Sequence, residues 1–420
     1  MTETLLMSRK ERTRLEVFAR VKAGGVTRVK ASELLALSYR QTLRSYARYA
    51  AGGAGGLAHG LRGKASNRKL DAAHRRDVLA AYRASYPGFG PTLAAEQMLL
   101  RQKLSVDHET LRRWLVFEGL WKGSRKRQTH RSRRERRAHA GELVQLDGSP
   151  HAWLEGRGPR LTLVEFVDDA TGRAYGRFYP EETTEAVMDC LTRYAARHGI
   201  PRALYVDKDS IYVVNNREPT GVEILAGREP LTQFGRAAAE LGMAVILANS
   251  PQAKGRVERV HGTHQDRLVK LLRLEGVATM AAANDYLERR YWADYNAKFA
   301  RPAASPADLH RKPPRGPDLS QVLCLKEART VGRDWCVCYE RRVLQLDVKH
   351  QSLALAGRAV EVRRHLDGRV ALWFGGRALT YQELGVRPAA EKRRPVFKSR
   401  KAYKPSADHP YKGGLVARDA

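Results

Sequence analysis

Apolar positions recur at different spacings along the 420-residue chain, and each spacing marks off a region. Up to about residue 120 they return every ~3.6 residues, the period of helices with one buried face. Ser8 caps a first predicted helix carrying Leu15, Phe18 and Val21, and Gly24-Gly25 ends it. Thr27 caps a second with Val29, Ala31, Leu34 and Leu35, and Ser38 a third from Tyr39 to Tyr49. Gly52-Gly53-Ala54-Gly55-Gly56 reads as a flexible hinge. The helical period then resumes. Asp71 opens a helix with Val78, Leu79 and Tyr82, Pro91 one with Leu93, Met98 and Leu99, and Asp107 one with Leu111, Trp114, Leu115 and Phe117. Met98 and Trp114 are expected in the core.

From about Gly141 the apolar runs shorten to strand length. Leu143 to Asp147 reads as a short strand ending on an acid, Leu161 to Asp168 as a second, and Arg173 to Tyr179 as a third. Asp169-Ala170-Thr171-Gly172 is the hairpin turn between the last two. Thr183 caps a helix to about Arg197, and Ala203 to Asp207 is a fourth strand, again ending on an acid. After an irregular stretch, Ser210 to Glu229, come a helix (Leu231 to Leu241), a fifth strand (Met243 to Ala248) and a long helix (Val257 to Leu274). Three antiparallel strands followed by helix, strand, helix, strand and helix is the order of an RNase H-like α/β fold, with the first and fourth strands adjacent. Thr279 to Phe299 continues as helix until Arg301-Pro302 and Ser305-Pro306 stop it. Short alternating strands fill Leu319 to Tyr381, with a hairpin at Asp367-Gly368, and predict a small β-barrel in which Cys336 and Cys338 pack. The expected plan is multidomain α/β. It comprises a helical domain (1–51), a flexible basic linker (52–70), a second helical domain (71–120), a basic linker (121–140), the α/β core (141–300), a linker (301–318), the β-barrel (319–385) and a basic tail (386–420).

Charge changes the picture most. The formal net charge is +31 and the pI about 10.3, a surplus that indicates a polyanionic partner, nucleic acid first. No apolar run approaches the ~20 residues that span a bilayer, and the N-terminus has no apolar stretch of signal-peptide kind. A soluble cytoplasmic, nucleoid-associated protein without a membrane partner is expected. The four cysteines form no zinc-binding spacing. The tight Ala36-Leu37-Ser38 turn between two of the first helices fits a helix-turn-helix whose last helix exposes Arg40, Gln41, Arg44 and Arg48, side chains suited to base edges in the major groove. The second helical domain reads as a similar unit exposing Arg112 and Arg113, so that the chain could grip double-stranded DNA in two places. Lys122 to Arg137 holds nine Lys/Arg against one Glu, and Lys392 to Lys412 eight against one Asp; both are expected to follow phosphates.

Asp147 and Asp207 stand at strand ends and Glu258 in a first helical turn. Oxygen-only carboxylates without imidazole or thiolate suit Mg²⁺ or Mn²⁺, and two such ions can activate a water or a 3′-hydroxyl for attack on a phosphodiester. Asp168, Asp169 and Asp209 are the competing acids. Asp169 is read as a turn residue and Asp168 as a support for the site.

Three segments then carry a resemblance. Leu146-Asp147-Gly148, Tyr205-Val206-Asp207 and Ser250 to Arg259 resemble the DDE motif of retroviral-integrase-type transposases, and the chain as a whole resembles ISNCY-type insertion-sequence transposases, most specifically in Gln145-Leu146-Asp147-Gly148-Ser149-Pro150-His151, Phe166-Val167-Asp168-Asp169-Ala170-Thr171-Gly172 and the Glu258 segment. The resemblance implies Asp147, Asp207 and Glu258 as a metal-binding catalytic triad and Lys254, Arg256 and Arg259 as DNA contacts. It also implies hydrolysis at the element's ends followed by strand transfer, with at least a dimer on DNA. The 51 positions from Asp207 to Glu258 (258 minus 207) exceed the retroviral spacing, and Ser210 to Glu229 reads as the insertion responsible. A catalytically silent DNA-binding regulator and an RNase H-like nuclease are the alternatives.

Overall fold

A computed structural model describes residues 7–60, 62, 70–122, 135–214, 230–248, 255–313 and 319–386. Most of both basic stretches, Ser250 to Lys254 and most of Ser210 to Glu229 lie outside these residues. The chain divides into two compact units, Met1–Lys122 and Gly123–Ala420.

The first unit opens with α1 (Arg9–Lys22), α2 (Arg28–Leu34) and α3 (Tyr39–Gly52). The predicted caps form. Ser8, Thr27 and Ser38 each accept a hydrogen bond from the free backbone N–H three residues on, and Glu11 returns the bond to the Ser8 N–H. Phe18 is fully buried, with the Tyr46 and Tyr49 rings 5.7 and 6.0 Å away. The glycine run departs from expectation. Gly53–Leu57 is a 3₁₀ turn beside α3 with Leu57 buried, and a Cβ on Gly56 would lie 2.0 Å from the Arg48 carbonyl oxygen. Gly56 thus allows a close backbone approach, and the run is an ordered turn, not a hinge. A second trio follows: α4 (Ala72–Ser85), α5 (Pro91–Gln102) and α6 (His108–Phe117). Met98 is buried as expected, but Trp114 is only half-buried and Phe117 is 80% exposed beneath the Arg75 guanidinium, 5.1 Å from its ring.

The second unit is built on a five-stranded sheet in the order β3-β2-β1-β4-β5. Its strands are β1 (Val144–His151), β2 (Leu161–Asp168), β3 (Ala174–Tyr179), β4 (Ala203–Val206) and β5 (Ala244–Leu247). β1, β2 and β3 pair antiparallel, while β4 joins β1 in parallel and β5 joins β4. β2 is buried along its whole length. β1 runs four residues past Asp147, so this acid is mid-strand and not at a strand end. Gly148, Ser149 and Pro150 continue because β2 pairs with them.

Helix α7 (Thr184–His198) precedes β4, α8 (Gln233–Glu240) precedes β5, and α9 (Gly255–Leu274) carries Glu258. The last predicted helix is interrupted. α10 (Met280–Tyr286) and α11 (Trp292–Phe299) are joined by a π-helical turn, Leu287–Tyr291.

The C-terminal strands form two open sheets and not a closed barrel. One has the order β11-β10-β9-β6 and the other β12-β8-β7. Here β6 is Leu325–Thr330, β7 Cys336–Tyr339, β8 Arg342–Leu346, β9 Ala359–Arg364, β10 Val370–Phe374, β11 Arg377–Leu379 and β12 Tyr381–Val386. Val337, Leu344, Val360, Val362 and Leu372 close a shared core. Alternation along a strand specifies a buried face, whereas closure depends on ladder bonds between sheet edges, which alternation does not encode. The sheets are tied to the α/β core. Arg236 of α8 donates to the Val322 and Cys324 carbonyls, Lys326 pairs with Glu240 at 2.7 Å, and Arg364 pairs with Glu185 at 2.7 Å.

Candidate active site

β1 and β4 bring two of the candidate acids together. Their parallel register pairs Val144 with Leu204 and Gln145 with Tyr205. Asp147, within β1, and Asp207, one residue past the end of β4, each lie two residues beyond that last pair, and the charges of both act on one further carboxylate. A third carboxylate, which the sequence reading did not single out, joins them. Glu182 is pushed above the usual carboxylate range by burial, opposed by a hydrogen bond from the Tyr212 hydroxyl (3.1 Å) and reinforced by the charges of Asp147, Asp207 and Asp209. Gly148 makes room for it: a Cβ there would sit 1.7 Å from Glu182 Oε2.

Helix α9 lies along β1 in step with it. The Val257 N–H donates to Gln145 Oε1 at 3.2 Å, His261 Nδ1 is 3.8 Å from Asp147 Oδ2, and Gln265 Nε2 donates to Ser149 Oγ at 3.1 Å. Residues four apart on the helix therefore meet residues two apart on the strand, because ~6 Å of helix rise matches ~6.6 Å of strand. His264 reaches to the β2 side, where its Nε2 meets the fully buried Glu165 carboxylate at 2.6 Å and its Nδ1 the Tyr291 hydroxyl at 2.6 Å. At ~100° per residue, Glu258 and His264 flank His261 by about 60° on opposite sides. Glu258 therefore lies on the flank of α9 opposite β2, and it is exposed. Among the described residues no group of three or more His, Cys, Asp or Glu side chains is placed to hold a metal ion. The oxygen-only set fits Mg²⁺ or Mn²⁺ in donor chemistry, and the charge crowding around Glu182 is of the kind a cation relieves.

The buried Glu165 carboxyl would be driven up by desolvation, but His264 and His261 hold it below its usual range. A lone acid in the apolar Leu161–Val167 run, and two histidines three apart on a helix, were the signals available for this network.

Asp169 stands in the hairpin turn the sequence predicts, and its side chain has a further role. It lies in the turn, yet it is fully buried: its carboxylate accepts from Gln145 Nε2 (2.9 Å) and the Arg137 N–H (2.9 Å) and pairs with Arg256. Gln145 in turn caps the first turn of α9 through Val257. Asp169 thus fixes the start of the helix that carries Glu258. Arg256, expected at DNA, is turned inward by this ion pair and is only 15% exposed. Asp168 is buried too, accepting from the Gly141 and Thr171 N–H groups (both 2.8 Å) and the Thr171 hydroxyl (2.7 Å), so it shapes a loop and does not face Asp147.

No family model matches the chain. Over 380 residues it is 40% identical to the transposase y4bF of Sinorhizobium fredii (strain NBRC 101917 / NGR234), an alignment covering 90% of this chain and 82% of that protein. The chain belongs to the transposases. A second relative, the transposase for insertion sequence IS1202 of Streptococcus pneumoniae, is 36% identical over 168 residues, 40% of this chain and 34% of that one. Among solved structures, the HTLV-2 integrase catalytic core domain in complex with magnesium matches 37% of this chain and 92% of its own at 15% identity and a TM-score of 0.26. A simian T-cell lymphotropic virus intasome matches 72% and 98% at 14% identity and a TM-score of 0.32. Likenesses this weak decide nothing about the transposase.

The transposase's candidate DNA contacts are distributed as follows. Arg40, Gln41, Arg44 and Arg48 are exposed along α3, within an arc of about 100°. Arg112 and Arg113 lie on α6, both bound to Glu109, at 2.7 and 3.2 Å. Arg259 is exposed on α9, one residue past Glu258. Lys254 lies outside the described residues. No described helix is long and apolar enough to cross a membrane.

Proposed function

We propose that this transposase cuts the ends of its insertion sequence and joins the freed 3′-hydroxyls to target DNA, with Asp147, Asp207 and Glu258 as the metal-holding catalytic acids on an RNase H-like core. The observation that supports the reading is the parallel β1–β4 register, whose last pair, Gln145 and Tyr205, precedes Asp147 and Asp207 by two residues each. Two Mg²⁺ or Mn²⁺ ions, when bound, would supply activation of water or of the 3′-hydroxyl and charge for the leaving oxygen. The chain's own contribution is placement. Gln145 and Asp169 fix the first turn of α9 so that Glu258 follows in a set position, and His261 stands against Asp147 from the same helix. The helix-turn-helix reading of α2 and α3 gives Arg40, Gln41, Arg44 and Arg48 the task of recognising the element's ends. Arg112, Arg113, Lys254 and Arg259 would hold backbone phosphates, and joining two ends calls for at least a dimer on DNA.

Glu258→Gln tests the assignment. The variant is expected to lose Mg²⁺-dependent nicking and strand transfer on cognate ends by at least ~10³-fold while binding those ends as before; strand transfer at the wild-type rate would sink it. A second reading, a DNA-binding regulator without catalysis, is favoured by the lack of a three-carboxylate group within reach of one ion among the described residues. Absence of cleavage with cognate ends and Mn²⁺ would select it.

A further inference from the structure

At the N-terminal end of β1 a cavity of about 760 Å³ opens between the end of β2, α7 and the Arg301–His310 segment. Three guanidinium groups line it, from Arg173, Arg197 and Arg301. Arg197 is paired with Glu288 at 2.9 Å. Among the described residues, neither the Arg173 nor the Arg301 guanidinium has a carboxylate within ion-pair distance. Both carboxylates in the lining are already engaged: Asp168 by the Gly141 and Thr171 donors, and Asp308 by the N–H and Nδ1 of His310, with a smaller influence from the Arg173 charge. The wall is fixed, since Ser305 and Leu309 donate to the Ala138 and Ala140 carbonyls.

The positive charge does not stop at the rim. Arg136 is held below the usual guanidinium range by burial, then by the charges of Arg301 and Arg256, with a smaller push from Arg259. The buried Asp169 carboxylate, paired with Arg256, offsets part of this crowding. The row therefore leads from the cavity along Arg301 and Arg136 to the first turn of α9, where Glu258 stands.

We infer that this cavity is a phosphate-anchoring site for the DNA backbone, in which Arg173 and Arg301 together hold a phosphodiester of the strand that runs past the start of α9. Guanidinium forks suit paired phosphate oxygens. The inference rests on the chain acting on DNA, not on the roles of Asp147, Asp207 and Glu258.

The test uses full-length protein and a fluorescent 30-bp duplex (length on the order of three helical turns), with affinity followed across a KCl series. Arg173→Ala/Arg301→Ala should lower the slope of log affinity against log salt by about 2 and weaken low-salt binding roughly tenfold or more, with an unchanged circular-dichroism melt. Arg173→Lys/Arg301→Lys should recover most of the slope. Arg289→Ala, which removes an 80% exposed arginine elsewhere, should leave the slope alone. Asp147→Asn should leave it unchanged even if nicking is abolished, so failure of the catalytic reading and of this one are separable. An unchanged slope in the alanine pair, or an equal fall in Arg289→Ala, would overturn the proposal. So would loss of inorganic-phosphate binding, read by ³¹P NMR, with DNA binding intact, since the site would then take a free anion.

Discussion

Asp169 decides more than its position suggests. It is fully buried, and its two oxygens serve Gln145, Arg256 and the Arg137 backbone. Removing it breaks the buried ion pair with Arg256 and takes away the acceptor of the Gln145 amide. Breaking a buried pair from one side costs about 3–5 kcal/mol. Asp169→Ala is therefore expected to destabilise the second unit by that amount in urea unfolding, and a loss under about 1 kcal/mol would contradict the arrangement. Gly148→Ala acts differently at the same scale. The clashing atom is the end of the flexible Glu182 side chain. The fold should survive with its thermal midpoint nearly unchanged, while Glu182 is driven away from Asp147 and Asp207.

At the scale of elements, caps and register do the work. The capping box of α1 includes an acid whose charge is held by the fold. Glu11 is pulled from its ordinary 4.5 to about 2 by the Ser8 backbone N–H, then by Arg62 and the Ser8 hydroxyl. A folded pKa below the unfolded one means the stabilisation is complete above about pH 4.5 and disappears as pH falls through about 2. Glu11→Gln should flatten the melting temperature of the first unit across that window, and the wild-type and variant curves should converge at its acid end. The α9–β1 match belongs to this scale as well. Val257, His261 and Gln265 meet Gln145 and the two alternate residues after it because both elements advance by nearly the same distance per step.

For the whole molecule, the C-terminal sheets are held to the α/β core by a few polar contacts centred on α8. Arg236 is the hub, donating to the Val322 and Cys324 carbonyls, while Gln233 bonds both the N–H and the carbonyl of Lys326. Hydrogen bonds from a charged donor contribute about 1.5–3 kcal/mol each. Arg236→Ala should loosen the docking, seen as faster tryptic cleavage near residues 319–326 with the DNA affinity of the full chain retained. Cleavage at the wild-type rate would show that the sheets are held some other way. The fivefold sheet, by contrast, is a single cooperative layer, since β2 is buried from end to end and β1 is bonded on both sides.

Local chemistry determined the helices and their starts. Ser8, Thr27, Ser38 and Thr183 act as caps where the sequence places them, because a cap needs only a few neighbouring residues. The order of strands and helices in the α/β core, and the adjacency of β1 and β4, also followed from pattern and connection rules. What pattern could not supply was pairing at a distance. Asp169 is the turn residue it reads as, but its buried ties to Gln145 and Arg256, 24 and 87 positions away, leave no local signal. Glu182 escaped notice because only the fold sets it beside Asp147 and Asp207. Arg256 looked like a DNA contact because charge alone does not say which way a side chain turns. The barrel opened into two sheets because edge pairing is a property of assembled strands. Sequence fixes what short stretches prefer; buried charge and edge hydrogen bonds find their partners only when distant stretches meet, and desolvation then decides which of those meetings are kept.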